Sequence, residues 1–271
     1  MPELPEVETA RRSLARRLAG RSILSCSIRF PGVLSLSNEN GNLTLPARFV
    51  EGSRHGKILY LLFDEDKYLL AHFRMTGGFY FRKDSDTLRD HTHVEFTLDD
   101  GEILAFRDPR RFGGLWWYEG KAVLTQYPLS TLGPDVLILS QDQFIRLMRM
   151  KNRMIKPLLL DQSVLAGMGN IYVDECLFRA RIHPMKSSNR ISTPKLRELW
   201  KTIQEVLAEA IEYGGSSIRD YADSDGRRGG FQDRHWVYNK KGEPCVRCGN
   251  PIRRILVAQR GTWICKKCQR R

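Results

Sequence analysis

Short alternating runs of hydrophobic and polar residues dominate the first half of the chain, after a helical beginning. Val7, Ala10, Leu14 and Leu18 recur at helical spacing within residues 5–18, and acidic residues occupy the first turn. Beyond this helix, apolar residues stand at every second position in many short segments, which are separated by turns rich in Gly, Asp and Pro. This pattern predicts an N-terminal helix followed by a β-sandwich.

The period of the apolar positions changes near residue 130, and the second half of the chain is predicted to be mainly helical. Thr193 and Pro194 begin the longest helix, which ends at Gly214. The other predicted helices cover residues 141–150, 154–160 and 171–181. The stretch 214–234 is rich in Gly, Ser, Asp and Arg, which predicts a long loop of a kind that often carries function.

Positive charge is concentrated at the C-terminal end of the chain. The 271 residues carry a formal charge of +13, from 44 Lys and Arg against 31 Asp and Glu. Residues 227–271 hold thirteen of these cations and two acids, a net charge of +11, which leaves +2 for the preceding 226 residues. A nearly neutral body with a strongly basic end indicates a surface for a polyanion, with nucleic acid the leading candidate.

The hydrophobic pattern argues against a membrane protein and against a secreted one. No apolar run approaches the roughly 20 residues that a membrane-spanning helix needs. Glu3, Glu6 and Glu8 stand where secretory and transit peptides have no acidic residues. We therefore expect a cytoplasmic protein.

Four of the six cysteines form a pattern typical of a structural zinc site. Cys245, Cys248, Cys265 and Cys268 have the spacing C-x2-C-x16-C-x2-C, so that two tight turns offer four thiolates to one tetrahedral ion. Two disulfides are the alternative, which a chain without a secretory signal rarely keeps. The sequence therefore predicts one structural Zn2+.

The residues between the cysteine pairs predict a β-hairpin with Arg260 at its tip. Ile255 and Val257 alternate with other residues, a turn containing Gly261 follows, and Trp263 begins the returning strand. An exposed arginine on a metal-pinned hairpin suits a phosphate or groove contact. The zinc ribbon by itself is not specific for DNA, because such modules also bind RNA and proteins.

The first residues of the chain offer an amine and carboxylates close together. Removal of Met1 would expose the secondary amine of Pro2, beside Glu3 and near Glu6. An α-amine with a reference pKa of about 8 is partly neutral near physiological pH, and it can attack an electrophilic carbon to form an iminium. A neighbouring carboxylic acid can move the protons. An ordinary helix start is the alternative that these residues alone leave open.

Five segments, in the order in which they occur, resemble those of a known family. They are Met1-Pro-Glu-Leu-Pro-Glu-Val-Glu-Thr9, Asp108-Pro-Arg-Arg-Phe-Gly113, Leu160-Asp-Gln162, Ala166-Gly-Met-Gly-Asn-Ile-Tyr-Val-Asp-Glu175 and the four-cysteine finger. Together they resemble the bacterial formamidopyrimidine-DNA glycosylases, base-excision enzymes that remove oxidised purines. The related endonuclease VIII, which prefers oxidised pyrimidines, shares the finger and the N-terminal Pro-Glu but usually lacks this form of the opening and the Asp-Pro-Arg-Arg-Phe-Gly segment.

The resemblance implies a bifunctional DNA glycosylase and abasic-site lyase. Pro2 would attack the deoxyribose C1′, Glu3 would donate and accept protons, and Glu6 would support the amine as a second carboxylate. Lys57 would position a phosphate and stabilise developing charge, with an ordinary strand-edge lysine as the alternative. His55 stands where the family usually has an arginine, which puts one auxiliary contact in doubt.

The resemblance also implies which side chains contact damaged double-stranded DNA. Met75, Arg110 and Phe112 would fill the gap left by an extruded base, and Arg110 would bond to the orphaned cytosine. Composition alone would instead place Met75 and Phe112 in the core. The residues that would bind phosphates around the lesion are Lys156, Asn170 and Arg260.

We therefore expect an α+β protein of several domains that acts as a monomer. Residues 1–130 would form the N-terminal helix and β-sandwich. Residues 131–234 would form a helical domain with a helix–two-turns–helix motif and a loop that closes over the flipped base, and residues 235–271 the zinc finger. The rival hypotheses are a glycosylase of the endonuclease VIII type and, in another class, a DNA-binding zinc protein without catalytic activity.

Overall fold

The computed structural model describes residues 2–36, 43–120, 123, 125–217 and 223–271. The chain divides into two units, one of residues 1–130 with 213–230 and one of residues 131–212 with 231–271. The first boundary falls where the hydrophobic period changes in the sequence. In the described part of the chain, no helix is both long and apolar enough to cross a membrane.

The first unit combines one helix with paired β-strands. Helix α1 spans Leu4–Leu18. The strands are β1 (Ser22–Ile28), β2 (Leu34–Leu36), β3 (Ala47–His55), β4 (Ile58–Phe63), β5 (Lys67–His72), β6 (Gly78–Arg82), β7 (Thr92–Leu98), β8 (Ile103–Arg107) and β9 (Gly114–Glu119). Their order across the sheet is β2-β9-β5-β4-β3-β1-β7-β8-β6. Leu43 and Leu45 continue the alternating apolar pattern of β3 towards the N-terminus, but the strand begins only at Ala47. Residues 37–42 lie outside the described ranges.

The strands form two halves, which agrees with the predicted sandwich. β1 and β3 join the halves through two residue pairs, Ser22 with Arg48 and Ile23 with Ala47. β2 and β9 run parallel, whereas the other paired strands of this unit run antiparallel. The apolar stripe of α1 and both halves share one core, where each buried large side chain stabilises the fold by about 1.5 to 3 kcal/mol. This core includes Leu14, Phe63, Phe96, Phe106 and Trp117.

The described part of the second unit consists of helices and a terminal hairpin. The helices are α2 (Gln141–Arg149), α3 (Ile155–Leu160), α4 (Asn170–Arg179) and α5 (Thr193–Glu212), and the hairpin strands are β10 (Arg253–Val257) and β11 (Arg260–Ile264). The predicted helices are thus confirmed, with small shifts at their ends. Residues 171–178 of α4 are all buried, so the charged residues of this helix need partners within the protein.

The loop after α5 differs from its predicted placement. It was expected within the helical domain, but its described residues up to Gly230 belong to the first unit, and only residues 231–234 belong to the second. Ser224 Oγ donates a hydrogen bond to Ser13 Oγ of α1 at 2.6 Å. Asp225 forms ion pairs with Arg16 and Arg17, also of α1. These contacts attach the loop to the helix that follows the candidate nucleophile, Pro2.

Candidate functional site

Pro2, Glu3 and Glu6 lie together at the start of α1. Glu3 precedes the first helical residue and Glu6 stands three residues later, in the arrangement of a capping box. The Glu3 N–H donates to Oε2 of Glu6 at 2.7 Å. All three residues are buried, which holds both carboxylates in a fixed geometry. Met1 lies outside the described residues, so its removal stays a prediction.

The second oxygen of Glu6 binds the loop after α5. Oε1 accepts a hydrogen bond from the Ser216 N–H at 2.7 Å. Gly215 has φ +78°, and a Cβ there would lie 2.6 Å from the same oxygen, so only glycine fits this approach. Glu6 therefore connects the backbone beside Pro2 with the loop that is expected to close over a flipped base. Residues 218–222 of that loop lie outside the described ranges.

Lys57 lies in the tight turn between β3 and β4, and Arg54 supports that turn. Gly56 has φ +57°, as a two-residue hairpin connection often requires. The Arg54 guanidinium donates to the Gly56 carbonyl at 2.8 Å and to Glu8 of α1 at 3.4 Å. Lys57 itself is buried, which suits a positioned cation better than an ordinary strand-edge lysine.

Glu8 is the centre of an arginine cluster beside this turn. Its Oε1 accepts hydrogen bonds from Arg11 and Arg12, each at 2.8 Å. Burial raises the pKa of Glu8, but the hydrogen bonds from Arg11 and Arg12 outweigh burial and lower this pKa to about 2. Arg11 also donates to the Gly52 carbonyl of β3 at 3.0 Å. Glu8 therefore stays ionised and ties α1 to the strand that leads to Lys57.

His72 is a candidate residue that the sequence analysis missed. It stands opposite Ile58 in the β4–β5 ladder, next to the Lys57 turn. Burial, and then the charges of Arg74 and Lys57, lower the pKa of His72 to about 3. The ring is therefore neutral, and Nδ1 accepts a hydrogen bond from the Arg74 N–H at 2.9 Å. The proton then resides on Nε2, which can donate to an anion.

Met75, Arg110 and Phe112 come together on the surface of the first unit. Met75 is 40% exposed and Phe112 is 56% exposed, so the alternative that both are core residues is wrong. Arg110 Nη1 lies 3.0 Å from the Met75 sulfur, and its guanidinium lies 4.8 Å from the centre of the Phe112 ring. Two apolar side chains and a guanidinium thus form one exposed group.

The buried carboxylate of Asp108 holds the two loops that carry this group. Oδ2 accepts a hydrogen bond from the Gly113 N–H at 2.6 Å, and Oδ1 accepts from the Arg110 N–H at 3.2 Å. The hydroxyl of Thr76, the residue after Met75, also donates to Oδ1. Asp108 therefore fixes both the loop that carries Met75 and the loop that carries Arg110 and Phe112.

The turn before α4 places Asn170 next to the hairpin of the finger. Gly167 has φ +112°, and its N–H donates to the side chain of Gln162 at 3.0 Å. Gln162 also donates to the Met168 carbonyl at 2.9 Å, which fixes the turn. Asn170 Nδ2 donates to the Gly261 carbonyl at 3.0 Å. Asn170, an expected phosphate-binding residue, thus contacts the residue that follows Arg260 in the chain.

The expectation for Lys156 needs a correction. Its side chain is 0% exposed, and its ammonium donates to Asp174 Oδ1 at 2.7 Å, to Thr262 Oγ1 at 2.8 Å and to the Gly261 carbonyl at 3.1 Å. An ammonium has three N–H donors, and protein acceptors engage all three here. Lys156 therefore positions the hairpin that carries Arg260 and does not contact a phosphate directly.

A second buried acid of α4 anchors the segment that precedes the finger. Glu175 accepts hydrogen bonds from three successive N–H groups, those of Trp236, Val237 and Tyr238, each at 2.9 Å. Asp174, its neighbour, accepts from the Trp263 N–H at 3.0 Å. The family-like segment that ends at Glu175 therefore includes two carboxylates that hold the finger, a role that the sequence analysis did not assign.

The four finger cysteines have the geometry of a zinc site. Their sulfur atoms all lie within 4.8 Å of one another. The Cys245–Cys268 and Cys248–Cys265 sulfur distances are 3.9 and 3.4 Å, whereas a disulfide bond measures about 2.05 Å. A tetrahedral site with Zn–S bonds of about 2.3 Å separates sulfurs by about 3.8 Å. The thiols therefore fit one Zn2+, and the disulfide alternative is wrong.

Comparison with known proteins finds related domains along most of the chain. The formamidopyrimidine-DNA glycosylase N-terminal domain matches residues 1–115, and the H2TH domain of the same glycosylase matches residues 132–222. The zinc finger found in FPG and IleRS matches residues 242–271. These matches cover the helix with its β-sandwich, the helical region and the four-cysteine hairpin.

Full-length relatives agree with these domains. The formamidopyrimidine-DNA glycosylase of Heliobacterium modesticaldum is 42% identical over 100% of both chains, and that of Bacillus subtilis is 41% identical over 99% of both. The crystal structure of the MutM (FPG) protein from Thermus thermophilus has a TM-score of 0.88 at 41% identity, covering 99% of this chain and 98% of that one. The Lactococcus lactis FPG mutant in complex with Fapy-dG-containing DNA has a TM-score of 0.92 at 36% identity, with 100% of each chain covered.

Fold, finger and relatives together define a zinc-containing DNA glycosylase and abasic-site lyase of base excision repair. The chain belongs to the formamidopyrimidine-DNA glycosylase family. The resemblance, the α+β architecture and the structural zinc expected from the sequence are confirmed.

Proposed function

We propose that this chain uses Pro2 as its nucleophile to excise oxidised purines, chiefly 8-oxoguanine and formamidopyrimidines. The buried capping box of Glu3 and Glu6 behind Pro2 is the observation that carries the proposal. It supplies two fixed carboxylates beside the amine that removal of Met1 would expose, as attack on an electrophilic carbon requires. The Lactococcus lactis relative was crystallised with Fapy-dG-containing DNA, which supports the substrate class.

The proposed reaction begins at the deoxyribose C1′. The Pro2 nitrogen donates its electron pair to C1′, the bond from C1′ to the base breaks, and that bonding pair leaves with the base. The N–H proton of Pro2 passes to the departing base, and Glu3 donates a proton to the ring oxygen as the C1′–O4′ bond breaks, which leaves an iminium between Pro2 and C1′. The iminium acidifies the neighbouring C–H, so that the two phosphates leave in turn by β- and δ-elimination, with Glu3 accepting and returning protons.

Positioning groups surround the nucleophile in this proposal. Glu6 holds the Glu3 backbone and the loop at Ser216 in register with one another. Lys57 balances the charge of a phosphate near the reacting sugar, and the neutral His72 beside it offers a further N–H. Arg54, which binds the Gly56 carbonyl, keeps the Lys57 turn in place.

Extrusion of the damaged base costs a few kcal/mol of stacking and pairing. We assign Met75, Arg110 and Phe112 to offset that cost, because their exposed side chains can fill the gap in the duplex. The guanidinium of Arg110 would bond to the orphaned cytosine. Asp108 preorganises the group, which lowers the entropy lost when DNA binds.

DNA is held by a second set of residues in this proposal. Asn170 and Arg260 bind phosphates around the lesion, and Asn170 contacts the carbonyl of Gly261, the residue after Arg260. Lys156 keeps this arrangement in place through its hydrogen bond to the Gly261 carbonyl. The Zn2+ holds the hairpin in shape and takes no part in the chemistry.

Borohydride trapping on duplexes with an abasic site tests the proposal. Reduction of the iminium should link the protein covalently to DNA, and peptide mapping should find the link at Pro2. Pro2→Gly should keep some trapping through its primary amine, whereas Glu3→Gln should abolish excision of 8-oxoguanine. With Met1 attached, the Pro2 nitrogen is an amide without a nucleophilic electron pair. Equal trapping of protein that retains Met1, as judged by intact mass, would rule out Pro2.

Lesion preference needs a separate measurement. Release of 8-oxoguanine opposite cytosine should exceed release of thymine glycol under the same conditions. The reverse order would favour the endonuclease VIII type of glycosylase. Absence of any trapped adduct, together with tight binding to damaged duplex, would favour the DNA-binding protein without catalytic activity. We further propose that the protein acts as a monomer in the bacterial cytoplasm, with the nucleoid.

A further inference from the structure

Two segments of the second unit are rich in cations and contain no acid. Residues 146–153 hold four Lys or Arg and no Asp or Glu, and residues 179–190 likewise hold four and none. The net charge of +2 for the first 226 residues conceals this concentration, because acids elsewhere in the chain offset it. A local excess of eight charges is the kind of feature that attracts a polyanion.

The structure brings the two segments side by side. The Ile155 N–H donates to the Lys186 carbonyl, and the Ser188 N–H donates to the Arg153 carbonyl, each at 2.9 Å. The Ser188 hydroxyl donates to the Lys151 carbonyl. These hydrogen bonds use the carbonyl oxygens of the basic residues and fix the backbone there. The charged ends of their side chains take no part in these bonds.

The side chains form one exposed basic surface, which comprises Arg149, Lys151, Arg153, Lys186 and Arg190. Arg153 pairs with Asp161, and Arg149 donates to the Thr193 hydroxyl. Among the described residues, Lys151, Lys186 and Arg190 make no ion pair with an acid. Basic side chains that have no acidic partner and stand on a fixed backbone can bind a ligand that carries several negative charges.

This basic surface lies close to the expected phosphate-binding residues. Arg153 precedes Lys156 by three peptide units, so their Cα atoms are at most about 11 Å apart. The Lys156 ammonium in turn contacts Gly261, which Asn170 also contacts and which adjoins Arg260. Arg153 of the basic surface and this phosphate site therefore fall within the length of one turn of duplex DNA, about 34 Å.

We propose that the basic surface binds the phosphates of the duplex that flanks the lesion, beyond the contacts of Asn170 and Arg260. This inference rests on the proposed function only in taking the lesion-bearing duplex as the ligand. Arginine forks match phosphate oxygens in pairs, and lysines add point charges. Such contacts carry no sequence information, so this surface strengthens the hold on any duplex of sufficient length.

The salt dependence of DNA binding tests this surface. Lys151→Gln/Arg190→Gln should lower the slope of log K against log salt by about 1.8 units, if each residue meets one phosphate. The probe is a duplex of about 30 base pairs, three helical turns, with a central abasic-site analogue.

A matched control removes one lysine and one arginine from elsewhere on the surface. Lys83→Gln/Arg48→Gln changes two exposed residues of the first unit and leaves the total charge equal to that of the test variant. The control should show the wild-type slope on the long duplex. An equal fall of the slope in both variants would show that net charge alone matters, which would overturn the proposal.

A second readout keeps this inference separate from the proposed chemistry. Borohydride trapping on abasic DNA at low salt should give the wild-type yield with Lys151→Gln/Arg190→Gln, because neither residue lies at the reaction centre. An unchanged slope on the long duplex, in protein that traps normally, would overturn the basic surface as a DNA contact. Failure of trapping in the wild-type protein would instead contradict the proposed nucleophile and leave the slope measurement valid.

Discussion

The ammonium of Lys156 lies 2.7 Å from Asp174 Oδ1, and both side chains are buried within the second unit. Burial raises the pKa of Asp174 to about 7, against the opposing effects of Lys156 and of the Trp263 N–H. An isolated charge at this depth is costly, so each member of the pair depends on the other. The pair also bridges α3, α4 and the hairpin of the finger through Gly261.

Lys156→Met should lower the free energy of unfolding by about 3 kcal/mol, because it leaves Asp174 buried without its cation. Urea denaturation followed by tryptophan fluorescence measures this loss. Lys156→Met/Asp174→Leu should recover a large part of it, since no unpaired polar group then remains. Unchanged stability of Lys156→Met together with weakened DNA binding would instead indicate that Lys156 contacts a phosphate directly.

Cys248→Ser should lose stoichiometric zinc and bind damaged duplex more weakly, because one ligand of the tetrahedral site is missing. Metal content by mass spectrometry and binding by fluorescence anisotropy measure the two effects. Cys26→Ser is the matched control, since Cys26 lies in β1, outside the finger, and should keep both zinc and affinity. Full zinc and full affinity in Cys248→Ser would contradict the four-cysteine site.

Phe112→Ala should impair excision of 8-oxoguanine about 10- to 100-fold more than cleavage of a preformed abasic site. Only excision requires an intact base to leave the stack, at a cost of a few kcal/mol. Single-turnover rates on the two duplexes measure the difference. Tyr127→Ala removes another exposed aromatic side chain of the same unit and should affect neither reaction. Equal losses in both reactions would indicate a folding defect.

Arg110→Ala should relax the discrimination between bases opposite the lesion, because its guanidinium is the group proposed to contact that base. The measurement compares excision rates of 8-oxoguanine opposite each of the four bases. The conservative variant Arg110→Lys keeps the charge but loses the planar fork, and it should discriminate only in part. An unchanged ranking of the four bases in Arg110→Ala would show that Arg110 does not read the base opposite the lesion.

Glu8→Gln should destabilise the first unit in a pH-dependent way. The pKa of Glu8 is lowered from 4.5 to about 2, so its stabilising effect is present above about pH 4.5 and is lost as pH falls towards 2. Allowing for solvent screening of the partly exposed arginines, the difference from wild type should be about 1 to 2 kcal/mol at neutral pH. Denaturation at neutral pH and near pH 2 should show this difference shrinking on acidification. A constant difference would mean that packing, not charge, accounts for it.

Local patterns in the sequence determined much of this protein. The helical spacing of Val7, Ala10, Leu14 and Leu18 specified α1, because an amphipathic period can be read from neighbouring positions alone. The cysteine spacing specified the zinc site for a similar reason, since two tight turns already bring the ligands of each pair together.

Only the tertiary structure decided which side chains are buried and which ones meet. Lys156 looked like a surface cation, but Asp174 and Thr262 enclose it, through contacts that span 18 and 106 positions of the chain. Met75 and Phe112 looked like core residues, yet Asp108 holds their loops at the surface. Burial depends on which distant segments pack together, and the spacing of apolar residues within one segment does not show that packing.

Contacts between distant parts of the chain also decided where the loop after α5 lies and how the basic surface forms. The Gly-rich composition of residues 214–234 predicted a loop, but its hydrogen bonds to Glu6 and Ser13 of α1 join positions 210 and 211 residues apart. Residues 146–153 and 179–190 are two separate basic segments along the sequence. They become one surface only because backbone hydrogen bonds lay them side by side, and electrostatic attraction depends on distance in space rather than on distance along the chain.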